Sequence, residues 1–561
     1  MRKSFKILLR ILVIIIGVIL QIIVIINFLN IYKNYDPAEP DITKSVRLNV
    51  VWILAEDLSP DLPAYGDSTI QTPNLDRLAS EGVVFDLAFT TQPICAPSKS
   101  CLYTGQYQTF LGTHQMRTSW KNYEAVPPPE TKVFTEYLRK EGYYTSKSGH
   151  ADYQFGNAPT AWDEFTPGFI SFKRVRHWRE RANNQPFFTS LDLGATHESG
   201  QWMNPFARTK VSLEDINVPP YYADDPIIRN DLAMMYTNII QMDKDVGEVL
   251  DKLDADGLSE NTVVIFMGDH GRGMPRSKRW LYDGGLKVPM IIRWPGVLAP
   301  GTRSDQMVSF VDMAPTMLSI MGLAIPQHMQ GKVFLGEEQD SIPRKYIFGS
   351  RDRADEAIDI IRAVRNERYK YIRNYLPDTA WIQSLWFRDM MPMMKRMHEL
   401  NEQGSLTGGA AYWFSETKPE EELYDTWKDP FEINNLAYNP EYDSIKMILK
   451  TELIAWVDQY DKYIDVTEEE MIEEMWPGKV QPITASPEIN IDFKSDNKKM
   501  IQLSCATIGA SIEYRISKKG IPKTWKLYDD GLLLIPPFKV EARALRYGYK
   551  MSDIASKKIT E

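Results

Sequence analysis

Three acidic residues follow apolar runs that are typical of strands buried in a parallel sheet. Glu56 and Asp57 come soon after the run LNVVWIL, and Asp269, with His270 next to it, follows TVVIFM. Ligands bind at the carboxyl ends of such strands, so we expect these side chains to lie together. Neighbouring carboxylates repel one another unless a cation lies between them, and their oxygens favour Ca²⁺ or Mg²⁺. A helix cap at Asp57 and a surface turn at Asp269 are the structural alternative.

Two further strand ends carry a histidine. The run FFTSLDL leads to His197, and the run GYYTSKS leads to His150. The chain has only seven histidines, and three of them, including His270, stand at predicted strand ends. Imidazole titrates near neutral pH, which suits general acid catalysis. The four strand ends together predict one site that combines a metal with titratable groups.

Cys95 begins the segment CAPSKSCLYTG, and three interpretations are open for it. A lone cysteine is commonly a small buried residue. Pro97 suits the first turn of a short helix that Gly105 would close, which places Cys95 at the helix N-terminus. That position attracts anions and favours the thiolate, so Cys95 is also a candidate nucleophile. A disulfide with Cys101 is the third interpretation, although three cysteines cannot build a disulfide framework.

Four basic residues follow His270 within a short segment. They are Arg272, Arg276, Lys278 and Arg279. A solvated basic loop would explain them. Beside a metal and a helix N-terminus, however, guanidinium and ammonium groups are suited to binding an anionic substrate. We therefore expect this loop to clamp an anion.

The elements that position these residues predict an α/β protein of several domains. The chain has 561 residues, too many for one core. Residues 47–345 alternate apolar runs with helical patterns, which predicts a mostly parallel sheet flanked by helices. Residues 346–481 predict a smaller α+β subdomain that contains a β-hairpin at 362–375. Strict alternation in residues 482–561 predicts an appended all-β module, similar to a sandwich.

Composition excludes one class of partner. The net charge of −10 argues against general nucleic-acid binding, and it makes the basic loop after His270 stand out. Hydrophobic residues make up 43% and charged residues 25% of the chain, as in ordinary globular proteins.

The N-terminal 35 residues predict a membrane anchor. Basic residues precede residues 11–29, which are apolar apart from Gln21 and Asn27. This length is close to the roughly 20 residues that span a bilayer, and the basic flank would stay in the cytoplasm. We expect the remainder to be periplasmic or extracellular and tethered through a polar linker at residues 36–46. A cleaved signal peptide is the alternative.

These motifs resemble those of the type I sulfatases, which share the alkaline-phosphatase-like α/β fold. NVVWILAEDL, TPNLDRLASEGVVF and CAPSKSCLYTG are similar to the opening of that family. FMGDHGRGMPRSKRWLYDGGLKVPMIIRWPG is similar to its second metal segment, and ELYDTWKDP to its closing motif. The resemblance covers residues 47–460. The module after residue 485 is similar to the β-sandwich appended to many secreted carbohydrate-active enzymes.

The resemblance implies a role for each motif residue. Cys95 would be oxidised by a formylglycine-generating enzyme to formylglycine, whose hydrate supplies the nucleophilic oxygen. Lys278 would contact the sulfate, and His197 would protonate the leaving oxygen or help to hold the sulfate. The ligands of a Ca²⁺ ion, with Mg²⁺ possible, would be Glu56, Asp57, Asp269 and His270. The metal and the basic residues would stabilise charge on the transferring sulfuryl group.

Two positions depart from the family pattern. Lys99 stands where the signature has arginine. It keeps the charge but loses the planar fork of donors, which puts the modification of Cys95 in question. His150 stands where the family often has lysine, so its charge would depend on pH, and Lys147 is near enough in sequence to compensate.

The resemblance implies a sulfuric ester hydrolase that acts on sulfated carbohydrate. Export, the basic loop and the all-β module favour carbohydrate over small aryl esters. A phosphate or phosphonate ester hydrolase on the same fold is one alternative. A non-catalytic protein that binds sulfated glycan is the other, and Lys99 and His150 would favour it. Specificity residues are plausible around residues 351–353.

Overall fold

The computed structural model describes residues 47–151, 153–168, 177–203, 208–493, 498–518, 521–522 and 524–560. Residues 47–179 and 186–561 belong to one compact unit. This unit contains the main sheet, a smaller antiparallel sheet and the C-terminal sheets. The predicted domain boundaries at residues 345 and 482 stay predictions.

The main sheet has eight strands in the order β4-β3-β5-β1-β6-β7-β2-β8. Neighbouring strands are parallel, except that β7 runs antiparallel to both β6 and β2. The strands are β1 Asn49–Ala55, β2 Val83–Phe89, β3 Tyr144–Gly149, β4 Glu164–Pro167, β5 Phe187–Leu193, β6 Thr262–Gly268, β7 Lys287–Arg293 and β8 Thr302–Ser309. This arrangement confirms the predicted mostly parallel α/β sheet.

Helices lie on both sides of the main sheet, and further helices belong to the C-terminal part of the chain. The α-helices of the described residues are α1 Pro73–Glu81, α2 Cys95–Thr104, α3 Gln108–Leu111, α4 Thr135–Lys140, α5 Ser199–Trp202, α6 Pro226–Ala255, α7 Asp283–Leu286, α8 Met313–Ile320, α9 Trp386–Asp389, α10 Pro392–Glu402, α11 Gly408–Trp413, α12 Asp443–Tyr460 and α13 Glu468–Met475. Short 3₁₀ turns connect several of them.

The central strand β1 has a hydrophobic core on each face. Val51 packs in one core with side chains of α1 and α6, whereas Trp52 packs in the other with side chains of α2 and α8. Successive side chains of a strand point to opposite faces, so a strand covered on both sides must be apolar at every position. The continuous run LNVVWIL is the sequence signature of this burial.

The C-terminal part is built from antiparallel sheets. Strands β9 Ile347–Arg351, β10 Ile361–Arg365, β11 Tyr369–Asn374 and β12 Glu421–Asp425 form a four-stranded sheet, and β10 with β11 is the predicted hairpin. Two further sheets contain β13 Glu488–Phe493, β14 Lys499–Ser504, β15 Ser511–Lys518, β16 Ile521–Pro522, β17 Lys526–Leu527, β18 Leu532–Leu534, β19 Phe538–Leu545 and β20 Ala555–Ile559. Ile501 of β14 and Val540 of β19 share one small core, so these sheets pack together.

The membrane prediction needs correction. The predicted anchor at residues 11–29 and the linker at 36–46 lie outside the described residues. Among the residues that are described, no helix combines the length and the apolar character needed to cross a bilayer. The longest, α6, carries charges such as Asp243 and Lys244, which are costly to bury in lipid. We therefore withdraw the prediction of a transmembrane, membrane-anchored protein, together with the periplasmic or extracellular location that depended on it.

Candidate active site

The four strand ends predicted to carry chemistry belong to adjacent strands. Strands β3, β5, β1 and β6 are neighbours in this order, and all are parallel. Their carboxyl ends therefore lie side by side, which is where ligands bind in sheets of this type. Strand order alone thus brings the predicted site residues to one edge of the sheet.

Four predicted metal ligands meet at this edge. Glu56, Asp57, Asp269 and His270 are all nearly inaccessible to solvent. Ligand atoms of the last three, together with Cys95 Sγ, lie within 4.8 Å of one another. A second such group joins Glu56 and Asp57 to Cys95 and His197. The structure therefore brings the predicted carboxylates and the predicted nucleophile into one cluster.

This cluster fits a divalent cation. Asp269 Oδ1 accepts a hydrogen bond from the backbone N–H of Asp57 at 2.9 Å. Asp269 Oδ2 is buried and has no hydrogen-bond partner among the described residues. A buried carboxylate oxygen without a donor is costly, and a metal ion would remove that cost. Oxygen donors with one imidazole suit a hard or borderline divalent ion.

The two carboxylates after β1 have different electrostatic surroundings. Burial, reinforced by the negative charge of Asp269, raises the pKa of Glu56 to about 7. Burial also acts on Asp57, but Lys278, His197 and His270 together outweigh it and hold the pKa of Asp57 below its usual value. Asp57 is therefore a permanent anion, while the charge of Glu56 depends on nearby cations.

Cys95 lies where the sequence predicted it. Helix α2 begins at Cys95 and ends at Thr104, and the next residue, Gly105, adopts the left-handed conformation (φ 67°) that glycine accepts easily. The sulfur atom lies 3.2 Å from His270 Nε2. The other ring nitrogen, Nδ1, lies 2.9 Å from the carbonyl oxygen of Gly271. Cys95 is a free cysteine and is partly exposed. It is therefore accessible from solvent beside the carboxylate cluster.

Lys99 lies one helical turn behind Cys95 and is buried against carboxylates. Its Nζ donates to Glu56, lies 3.0 Å from Asp192 Oδ2 and lies 3.7 Å from Asp269 Oδ2. Burial alone would lower the pKa of Lys99, but these three carboxylates raise it well above the usual value. Lys99 is therefore a fixed positive charge beneath the site.

Sequence reasoning missed Asp192, which joins the lysines beneath the site. Asp192 Oδ1 accepts a hydrogen bond from Lys147 Nζ at 2.8 Å, and Oδ2 accepts one from the backbone N–H of His150 at 3.1 Å. Lys147 is enclosed between Asp192 and Tyr103, so it balances a buried charge. The available signal was an aspartate inside the otherwise apolar run FFTSLDL, because a charge in a doubly covered strand needs a partner.

The basic loop after His270 divides into two parts. Lys278 Nζ lies 2.8 Å from Asp57 Oδ1 and 3.0 Å from Glu198 Oε1. Arg279 donates to both oxygens of Glu198 at 2.9 Å. Glu198 was not predicted, although it directly follows His197. These two basic residues therefore belong to the site.

The other two basic residues of this loop do not join the predicted clamp. Arg272 pairs with Asp61 at 2.7 Å. Arg276 donates to the carbonyl oxygens of Phe431 and Glu432 and lies over the ring of Tyr282. Both side chains therefore bind structural partners. The prediction that the basic loop binds an anion is wrong for Arg272 and Arg276.

Two histidines complete the edge. One ring nitrogen of His197 belongs to the cluster with Glu56, Asp57 and Cys95, and its Nδ1 lies 2.7 Å from Ser199 Oγ. The hydroxyl group fixes the orientation of the ring. The side chain of His150 is exposed at the mouth of the site, and partial desolvation lowers its pKa. The structure thus brings all nine predicted site residues to one edge of the sheet.

Comparison with known proteins identifies the family. The sulfatase family model matches residues 48–323, and the model of the N-sulphoglucosamine sulphohydrolase C-terminal region matches residues 268–403. An ulvan-active sulfatase of Formosa agariphila is 38% identical over 551 residues, which cover 90% of each chain. Human N-sulphoglucosamine sulphohydrolase is 24% identical and covers 78% of this chain and 95% of its own. A solved 2-O GAG sulfatase superposes with a TM-score of 0.56 at 20% identity, over 75% of this chain and 94% of that structure.

The likeness to solved structures shows the fold, and the 38% identity over nine-tenths of both chains shows the relationship. Together with the carboxylates and the cysteine gathered at the strand ends, these matches establish that this chain belongs to the type I sulfatases, enzymes that hydrolyse sulfate esters on an alkaline-phosphatase-like fold.

Proposed function

We propose that this sulfatase removes sulfate from sulfated carbohydrate, using a formylglycine made from Cys95 and a calcium ion. The observation that supports this most directly is the position of Cys95 Sγ, within 4.8 Å of the ligand atoms of Asp57, Asp269 and His270. A nucleophile at this position would lie beside the residues that would hold the metal ion, where it is placed to attack the sulfur atom of a bound sulfate ester. When present, the two groups supply a nucleophilic oxygen and a Lewis acid.

The remaining steps belong to side chains of the chain itself. Lys278 is oriented by Asp57 and Glu198. Burial alone would lower the pKa of Lys278, but the negative charges of these carboxylates raise it above its usual value, so the ammonium group would bind a sulfate oxygen. His197, oriented by Ser199, would donate a proton to the leaving sugar oxygen. His150, at the mouth, would contact the sulfate or the sugar. The calcium ligands would be Glu56, Asp57, Asp269 and His270.

The names of the relatives support a saccharide substrate. One relative is active on ulvan, and another acts on N-sulphoglucosamine. We therefore propose a panel of ulvan oligosaccharides, heparin-derived disaccharides and 4-methylumbelliferyl sulfate, with released sulfate measured by ion chromatography. Release from at least one saccharide, abolished in Cys95→Ala, is the expected result. Hydrolysis of 4-methylumbelliferyl phosphate alone would instead support the phosphoester alternative.

Peptide mass spectrometry tests the modification separately. Conversion of cysteine to formylglycine lowers the mass of the residue by about 18 Da at the proposed covalent nucleophile. We expect this loss in wild-type protein made together with a formylglycine-generating enzyme, and a larger modified fraction in Lys99→Arg. Detection of the thiol alone in both proteins would support the non-catalytic, glycan-binding alternative.

A further inference from the structure

An exposed aromatic and cationic patch lies at the rim of the active site. It consists of Arg117, Trp120 and Lys121. Arg117 directly precedes the 3₁₀ turn Thr118–Lys121, and the other two residues lie within it. The Trp120 side chain is 48% exposed and the Arg117 side chain 46% exposed. The guanidinium of Arg117 lies 5.6 Å from the centroid of the Trp120 ring. We call these three residues the rim patch.

The rim patch is attached to the chain that carries the nucleophile. Met116, immediately before it, is buried in a small cluster with Ile94, Ala96 and Ala354. Ile94 and Ala96 flank Cys95 in the sequence. The backbone N–H of Met116 also donates to the carbonyl oxygen of Arg353 at 2.9 Å. The patch therefore follows directly in the chain from a residue that packs with the neighbours of the nucleophile.

Hydrogen bonds to other segments of the chain hold the turn that carries the rim patch. The backbone N–H of Thr118 donates to Gln154 Oε1 at 3.3 Å, and the Thr118 hydroxyl contacts the same oxygen at 3.2 Å. The hydroxyl of Tyr123 donates to Glu468 at 3.0 Å. A turn fixed in this way would hold Arg117 and Trp120 in place before a ligand arrives, which reduces the entropy cost of binding.

The charge of Arg117 is poorly compensated. Its Nε lies 3.8 Å from Asp355 Oδ1, at the limit of an ion pair, and such exposed pairs are weak. Asp355 already accepts a hydrogen bond from Arg279 at 3.0 Å. Arg279 in turn holds Glu198, which holds Lys278. Arg117 is thus linked to the proposed sulfate-binding lysine, and Asp355 is its only ion-pair partner among the described residues, so its guanidinium is suited to bind another anion.

We propose that Arg117 and Trp120 form a subsite for a second sugar of the substrate, one that carries its own anionic group. This inference rests on the proposed function, because it places a saccharide in the active site. The indole face would pack against the apolar face of the sugar ring, and the guanidinium would form a charge-assisted pair with a carboxylate or a sulfate ester. The preferred substrate is therefore an oligosaccharide with two negative charges on neighbouring sugars.

The test uses calcium-loaded, formylglycine-containing enzyme and the saccharide of the panel above that is hydrolysed fastest. Three forms of that saccharide are compared: the intact one, one with its carboxylates reduced to alcohols, and one that keeps only the scissile sulfate. The variants are Arg117→Met and Trp120→Ala. Trp427→Ala is the matched control, because Trp427 is 61% exposed and also stacks with an arginine, Arg368.

We expect Arg117→Met and Trp120→Ala each to lower kcat/KM for the intact saccharide about tenfold. The first variant loses a hydrogen bond to a charged group, and the second loses the aromatic surface that packs against the sugar ring. Hydrolysis of 4-methylumbelliferyl sulfate should change less than twofold, and Trp427→Ala should match wild type. Removing the second anion should lower kcat/KM of the wild type and cancel the effect of Arg117→Met. The form that shows this cancellation identifies the anion as carboxylate or sulfate.

Three results would overturn the inference. Equal losses on the small ester and on the saccharide would show a general structural effect. Unchanged kcat/KM in both variants would show that the rim patch does not touch substrate. A wild-type enzyme that releases sulfate from no saccharide would refute the proposed function together with the subsite, whereas the first two results would refute the subsite alone.

Discussion

Asp192 holds Lys99 at 3.0 Å with one carboxylate oxygen and Lys147 at 2.8 Å with the other. All three side chains are essentially inaccessible to solvent. One aspartate thus balances two buried ammonium groups, and Lys99 in turn contacts the carboxylates of the metal cluster. The charge balance of the site therefore depends on a residue beneath the nucleophile.

Asp192→Ala should lower the free energy of unfolding by about 3–5 kcal/mol, because it leaves buried cations without a partner. Urea denaturation followed by tryptophan fluorescence would measure the change. Asp224→Ala, which removes an exposed partner of Arg229, should leave stability almost unchanged. A similar small change in both variants would show that the lysines find other partners.

Gly149→Ala should damage the same region through the backbone. Gly149 has φ 111°, and an added Cβ would lie 2.3 Å from Asp192 Cβ. Gly142 is the matched control, because it has φ 82° and no atom within 4 Å of an added Cβ. Gly142→Ala should cost about 1 kcal/mol from the left-handed backbone alone.

We expect Gly149→Ala to cost at least about 2 kcal/mol more than the control, since the clash adds to the backbone strain. It should also slow sulfate release, because His150 is the next residue. The same urea experiment gives both stabilities. Equal losses of unfolding free energy in the two variants would mean that Asp192 moves away from the added methyl group without cost.

Asp231 should make stability depend on pH. Burial raises its pKa from 3.8 to about 6, and its Oδ2 accepts a hydrogen bond from the backbone N–H of Met393 at 2.8 Å. The folded protein therefore binds this proton more tightly than the unfolded chain does. The resulting stabilisation is fully present below about pH 4 and is lost as the pH rises to about 6.

Asp231→Asn keeps the acceptor and removes the charge. It should raise the free energy of unfolding at pH 8 by on the order of 2 kcal/mol, and it should have little effect at pH 4. Denaturation curves at both pH values would measure this. An equal change in the free energy of unfolding at both pH values would show that the effect does not come from ionisation of Asp231.

Calcium should stabilise the folded protein through the carboxylate cluster. At a calcium concentration of about 100 Kd, the gain is about 2.7 kcal/mol if the ion binds only the folded state. Thermal unfolding with calcium and with EDTA would show the shift in Tm. The shift should disappear in Asp269→Ala and persist in Asp61→Ala, which removes a carboxylate paired with Arg272 outside the cluster. Persistence in Asp269→Ala would refute Asp269 as a ligand.

Much of the fold was predictable from local patterns. Strands covered on both faces are nearly continuous apolar runs, and β1 and β6 show this pattern in the sequence. Glycine after Thr104 closes α2, which placed Cys95 at a helix start. The residues that follow the strands were identifiable because polar groups cluster where buried strands end. These features depend on nearest neighbours along the chain, so a single sequence contains them.

The pairing of charges was not predictable in this way. Asp192 meets Lys147 because β5 lies beside β3, and it meets Lys99 because helix α2 packs against this sheet. No local pattern encodes either contact. The basic loop looked uniform, yet Arg272 and Arg276 bind structural partners while Lys278 and Arg279 join the site. Arg117 and Trp120 reach the rim through the packing of Met116 against the residues around Cys95. Local sequence specifies which groups are present, and long-range packing decides which charges and rings face one another, because electrostatic partners are set by distance in space.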